Sequence, residues 1–280
     1  MYLRLVFGLL VPLLLASCAN FLFYPVKEPI LKKTELEREL NIKIRDMNFT
    51  SKDGTKLHGW FLPNQKGRSK ATVLFCHGNA ENITSHIEKV WWLVHYGYNV
   101  FMPEYRGYGA SEGDPDLEGI HEDIHAAIEL MVSDKAMSHR NYLMYGHSLG
   151  GAIATATLAN SPHRLKFNGL IVEGSFTSYR DAARDALGNF WLTWLFQYPL
   201  AWTIPDDIRP VDEIKKISPV PVLIVHGNED RVISAGHGKA LFDAAKKPKQ
   251  YWIVSGGGHS TFRSEANRTK LLEYLDSLLK

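Results

Sequence analysis

Six short, uncharged, largely apolar runs divide the chain: Ala71–Cys76, Asn99–Pro103, Tyr142–Tyr145, Gly169–Val172, Val220–Val225 and Gln250–Val254. Each is the length of a strand and lacks the polar alternation of a strand with one wet face. Strands buried on both faces belong to parallel sheets with helices on either side. Between the runs, Asp116–Val132 sets Leu117, Ile120, Ile124, Ala127, Ile128 and Met131 at helical spacing, and Leu271–Leu279 closes the chain amphipathically. Ahead of the first run, Ile42–Ser51 and Lys56–Leu62 flank an Asp53-Gly54 turn and predict an antiparallel hairpin. The expectation is one α/β domain over residues 42–280, a mostly parallel central sheet with an antiparallel start and helices on both faces.

The N-terminus has another pattern. One charge, Arg4, precedes an apolar run from Leu5 to Leu15 and then small residues, the layout of a secretory signal over residues 1–17. Leu15-Ala16-Ser17-Cys18 resembles the lipobox of bacterial lipoproteins, which implies diacylation of the Cys18 thiol. Two acyl chains give stable membrane attachment. With Ala19 next, the resemblance implies a cell-envelope protein on the outer membrane, facing the periplasm. Residues 18–41, with Pro25, Pro29 and the charged patch Lys32–Glu39, read as a lipidated tether. The Asn-x-Thr sequons at Asn48, Asn82 and Asn267 are expected to be coincidental.

Charge excludes one class of partner. With 32 Lys+Arg against 30 Asp+Glu and no basic run, nucleic acid is not expected. No metal-ligand cluster and no dinucleotide fingerprint follows a strand, so neither metal nor cofactor is expected. Cys76 remains as a free thiol, and a monomer is anticipated.

The chemistry concentrates at three strand ends. Gly146-His147-Ser148-Leu149-Gly150 is a G-x-S-x-G between a strand and a small-residue helix, the setting in which a serine sits exposed on a strained elbow. A serine hydroxyl needs an adjacent base and an orienting acid. Asp230 lies just past Val220–Val225 and His259 just past Gln250–Val254, so serine, acid and histidine follow in the order this setting requires. Glu229 is the competing carboxylate. Among the other histidines, His226 is expected to pack at the strand end, His147 to lie on the wrong side of its neighbour's hydroxyl, and His237 to be at the surface. An acyl-transfer site also needs two oxyanion donors. Leu149 N–H is one, and the loop His77-Gly78-Asn79-Ala80 should carry the other.

Four separated motifs resemble the α/β-hydrolase superfamily: His77–Ile83, Tyr105–Gly113, the Gly146–Gly151 elbow and His226–Asp230. They are most similar to its compact, often membrane-associated serine hydrolases, which include protein depalmitoylases. The resemblance implies the Asn79 main chain as second oxyanion donor, with Ala80 the alternative, and Tyr105–Gly113 as a structural loop at the rim. Glu104 stands where relatives often carry Asp. An Asp nucleophile, as in dehalogenases and epoxide hydrolases, is disfavoured by Ser148. Residues of about 176–210 read as a lid insertion, with a charge-free aromatic stretch from Ala186 to Pro205 that includes Trp191 and Trp194. It lines an acyl pocket, touches the bilayer or packs as a core helix. The functional expectation is a serine hydrolase of carboxylic esters or thioesters with an acyl-chain or small-molecule substrate. A peptidase, a carbon–carbon hydrolase and a non-catalytic envelope binding module are the alternatives.

Overall fold

All six apolar runs become strands of one sheet. The computed structural model describes residues 23–137, 140–188 and 197–280. The strands are β1 (Arg45–Thr50), β2 (Lys56–Leu62), β3 (Ala71–Cys76), β4 (Tyr98–Pro103), β5 (Tyr142–His147), β6 (Phe167–Glu173), β7 (Val222–Gly227) and β8 (Lys249–Val254). Their spatial order is β8-β7-β6-β5-β3-β4-β2-β1. The β1–β2 and β2–β4 pairs are antiparallel and every other pair is parallel. The hairpin turns where expected: Gly54, at φ +94°, donates to Ser51 O, and Ser51 N donates to Thr55 O.

Alternation within each buried strand feeds two cores. In β3, Leu74 and Cys76 join one apolar cluster while Val73 and Phe75 join the other. The same split separates Met144 from Tyr145, and Ile224 from Val225. On the first face lie α2 (Leu117–Ser133), α3 (Leu149–Asn160), α4 (Tyr179–Gly188) and α5 (Ala235–Ala244). On the second lie α1 (Lys33–Glu39), the short turns of 83–96 and α6 (Glu265–Ser277). Asp116 caps α2 by accepting from Gly119 N, and Ser264 caps α6 by accepting from Asn267 N. One strand differs from expectation. β8 ends the sheet, paired on one side only, and its Ile253 is half exposed.

The segment read as a tether is, from Phe23 onward, part of the body. The Phe23 side chain is buried in the first core. Tyr24–Pro25 pairs in parallel with Ala80–Glu81, and Gly109 N donates to Val26 O. Asn82 Nδ2 donates to Val26 O and Glu28 O, while its Oδ1 accepts from Thr84 N and Oγ1. Lys27 Nζ reaches Ser111 O at 2.7 Å. The reason is polar satisfaction: two buried loops of the body expose backbone and amide groups, and residues 23–31 supply their partners. Asn82 is wholly buried with its amide nitrogen engaged, so that sequon cannot carry a glycan. Residues 1–22, including Cys18, and residues 189–196, including Trp191 and Trp194, lie outside the described residues. Among the described residues no helix is long and apolar enough to cross a membrane.

Asn82→Ala should therefore unmake the strap's bonds and orphan several buried groups. The expected loss is about 2–4 kcal/mol of unfolding free energy by urea denaturation. A change within about 0.5 kcal/mol, the usual range for surface substitutions, would contradict this account of the strap.

Candidate active site

The serine elbow exists because two glycines let backbones touch. A Cβ on Gly150 would stand 2.0 Å from Cys76 O, and one on Gly146 would stand 2.2 Å from Gly150 O. Helix α3 thus starts in direct backbone contact with β3, and Ser148 is forced to φ +56°, ψ −121°. A non-glycine residue there is strained, and such strain is characteristic of functional sites. Ser148 N donates to Glu173 O at 2.9 Å, fixing the turn to the end of β6. The Ser148 hydroxyl caps no helix amide and is partly exposed. The following amide, Leu149 N–H, belongs to the first residue of α3, where a helix leaves donors without intrahelical acceptors.

Beside the elbow runs the loop after β3. A Cβ on Gly78 would lie 3.3 Å from His147 Nδ1 and 3.7 Å from Ser148 Cβ, so this loop borders the serine. Asn79 Oδ1 accepts from Tyr108 OH at 2.9 Å and Tyr24 N at 3.1 Å. The strap and the rim loop together therefore hold the residue next to the serine's border. Tyr105 OH donates to His77 O, and Arg106 forms a bidentate pair with Asp123 and reaches Asp53. Within Tyr105–Gly113, the stretch Tyr105–Tyr108 and Ser111 are buried, while Ala110, Glu112 and Gly113 are exposed.

The acid and the imidazole meet across the ends of β7 and β8. Asp230 Oδ2 lies 2.8 Å from His259 Nδ1. The Asp230 side chain is fully buried, and its Oδ1 accepts from Val232 N and Ile233 N. Burial opposes ionisation of Asp230, but bonds from His226, His259 and Ile233 N outweigh it and hold the carboxyl well below the usual range. His226 is itself wholly buried; its Nε2 donates to Ile233 O and lies 3.4 Å from Asp230 Oδ2. Glu229, the competing carboxylate, is exposed. With Nδ1 on Asp230, His259 presents Nε2 as its remaining nitrogen. The His259 ring lies over Gly174, where a Cβ would stand 3.3 Å from Nδ1. Gly174 follows Glu173, so ring and serine flank one strand end. The Ser148 hydroxyl and the His259 imidazole are not hydrogen-bonded to each other. Such bonds are commonly long in unliganded sites.

Two groups were not legible as site residues. His147, expected to be unproductive, donates from Nε2 to His259 O at 3.0 Å and is buried; burial depresses its pKa, so it is neutral. Glu173 carries no motif at all, although the end of an apolar run is where site residues collect in such sheets. His237 is buried rather than superficial: α5 turns it inward, where Nδ1 meets Thr177 Oγ1 and Nε2 meets Asp185. Cys76 is fully buried, and burial pushes its thiol up, so it is unreactive. No metal-binding cluster occurs among the described residues.

A β5–Ser–α3 elbow with Asp230 and His259 following β7 and β8, in this strand order, defines the α/β-hydrolase fold. The sequence profile of the serine aminopeptidase, S33 family matches residues 67–207. The chain belongs to that family and is a hydrolase. It is 30% identical over 240 residues to the uncharacterized protein YfhR of Escherichia coli (strain K12), covering 83% of this chain and 81% of that one. It is 32% identical over 259 residues to the α/β hydrolase domain-containing protein WAV2 of Arabidopsis thaliana, covering 89% and 82%. Among solved structures, the Pyrococcus furiosus esterase Pf2001 superposes with a TM-score of 0.73 at 16% identity, covering 92% of this chain and 97% of that one, a likeness of fold.

Glu104, behind the rim, sets a pH test. Its carboxyl is buried, accepts Ile83 N at 2.8 Å, and leaves Oε2 without a partner among the described residues. Burial raises its pKa to about 8, against the smaller pull of the Ile83 amide and Lys27. The folded state then holds a proton that the unfolded chain loses near its ordinary value. Its contribution is full below that value and is lost as pH rises towards about 8. Wild-type stability should fall across this window by up to about 1.4 kcal/mol per pH unit from this group. Glu104→Gln, which imitates the neutral acid, should flatten that slope in urea titrations at several pH values. Unchanged slopes would show that Glu104 is ionised in the fold.

Proposed function

We propose that the chain is a serine hydrolase of carboxylic esters or thioesters. Ser148 attacks the carbonyl while His259 Nε2 takes its proton, and Asp230 orients the imidazole and stabilises its charged form. The amides of Leu149 and Asn79 receive the oxyanion, and water then cleaves the acyl-enzyme with His259 again as base. The observation that carries this reading is the 2.8 Å Asp230–His259 contact beside a serine held at φ +56°. No metal or cofactor enters the steps.

The family description favours a second reading, hydrolysis of amides at a peptide N-terminus. Recognition of a free amine calls for an available carboxylate. Of the buried acids at this site, Glu173 and Asp230 are held by protein donors, and Glu104 is kept protonated by burial. This supports the ester reading over the peptidase reading. A carbon–carbon hydrolase shares the triad, and a binding module would leave Ser148 inert.

We also propose a lipid-anchored envelope protein of the outer membrane, monomeric, with Cys18 as the acylated residue. The lipobox supports it, and so does chain reach. Five residues lead from Cys18 to the buried Phe23, at most about 17 Å extended. Such an anchor holds the Asn79 loop near the bilayer. Exposed Tyr198, Leu200 and Trp202 in the insertion suit an acyl or interfacial substrate, as in depalmitoylases.

Ser148→Ala should lower p-nitrophenyl ester hydrolysis by roughly 10⁴-fold or more, and a fluorophosphonate should label Ser148 alone. Substantial turnover in the variant, or faster cleavage of aminoacyl amides than of esters by the wild type, would refute the ester reading. Trp202→Ala should reduce turnover of long-chain esters more than that of acetate; equal losses would remove the acyl-contact role.

A further inference from the structure

We propose that Glu173 is a positioning residue that sets His259 against Ser148 by clamping the histidine's loop. The inference rests on the nucleophile and base assigned above and adds a carboxylate that neither motif contains. Glu173 ends β6 with its side chain buried. Its main-chain carbonyl accepts from Ser148 N, so the residue is already tied to the elbow. Its Oε1 accepts two bonds from Thr261, one from the amide and one from Oγ1 at 2.6 Å. Thr261 lies two residues past His259. The other oxygen, Oε2, accepts from Tyr145 OH. Burial and the neighbouring carboxylate push the Tyr145 phenol well up, so it stays a donor.

One residue therefore bridges both halves of the proton-transfer pair. Through its backbone it fixes where the serine is; through its side chain it fixes where the loop leaving His259 begins. Asp230 cannot do the second task, because it sets the rotation of the ring and not the position of the backbone that carries it. On the N-terminal side the Ser255–Gly258 turn is tied to the end of β7, with Gly256 N donating to Asn228 Oδ1 and Glu229 N donating to Gly257 O. On the C-terminal side the ties are the Glu173–Thr261 clamp, His147 Nε2 on His259 O, Lys89 Nζ on Ser260 Oγ and Asn267 Nδ2 on Thr261 O; of these, the clamp alone also joins the loop to the residue that fixes the serine. Misplacing a reacting group by about 1 Å can cost about a hundredfold in rate, so a clamp of this kind acts on the chemical step.

The test uses the full chain with p-nitrophenyl butyrate, and counts active sites by stoichiometric fluorophosphonate labelling. Thr261→Val removes one bond to Glu173 and keeps the amide. It should lower kcat per labelled site by about tenfold with KM within about twofold. Thr261→Ser keeps both bonds and should restore kcat to within about threefold of wild type. Glu173→Gln sets an amide NH₂ among donors and should cost about thirtyfold or more. A residue that only stabilised the fold would lower the melting temperature or the number of labelled sites and leave kcat per site unchanged; that outcome overturns the proposal. If Glu173→Gln does not fold, the Thr261 pair decides alone. Failure of the wild-type protein to label at Ser148 would sink the hydrolase reading and this inference together. Normal labelling with unaltered variants would sink only the inference.

Discussion

The constraint on which the site depends is the contact between the start of α3 and β3. Gly146 and Gly150 allow the helix backbone to lie against Cys76 O, closer than any Cβ permits. That approach throws Ser148 into the left-handed region and lifts its hydroxyl clear of the helix it precedes. The strain is offset by Ser148 N on Glu173 O and by the packing of α3, nearly all of it buried. The small side chains of the helix, Ala152, Ala154 and Ala156, are what let it sit so low on the sheet.

Around this contact the ionisable groups are sorted by what they meet. Asp230 is buried but surrounded by donors and remains charged. Glu104 is buried with one amide donor and an unpartnered oxygen, and its pKa rises instead. His77, His86 and His147 are depressed by burial and are neutral, which lets them pack among aromatic rings beside the elbow. A charged Asp230 directly behind the imidazole puts the electrostatic effect where a proton would move.

The strap of residues 23–31 makes the N-terminal segment part of the folded body. It shares Asn79 Oδ1 with Tyr108, pairs with Ala80 and supplies carbonyls to Asn82 and Gly109. Two stretches distant in sequence, the strap and the rim loop, therefore converge on the loop that borders the serine. Proline-punctuated, charged sequence reads as linker because its own side chains bury little. Beyond the buried Phe23 ring and the Lys27 amine, its contribution is made through backbone groups, which composition does not display.

Strand identity and the chain order of Ser148, Asp230 and His259 were legible in the sequence. Burial on both faces of a sheet writes itself as apolar runs, and site residues follow the runs that end at one edge. Local chemistry also announced the elbow, since only glycine fits where a Cβ would stand 2.0 Å from a backbone oxygen. The sequence did not disclose that His237 turns inward, that β8 is a half-exposed edge, or that His147 and Glu173 grip the loop of His259. Those outcomes depend on which segments become neighbours across the sheet. A histidine or glutamate at a strand end looks the same whether solvent or a threonine from a distant loop awaits it. Local pattern determined the elements and their order; the long-range closure of the sheet alone decided the partners of each buried polar group.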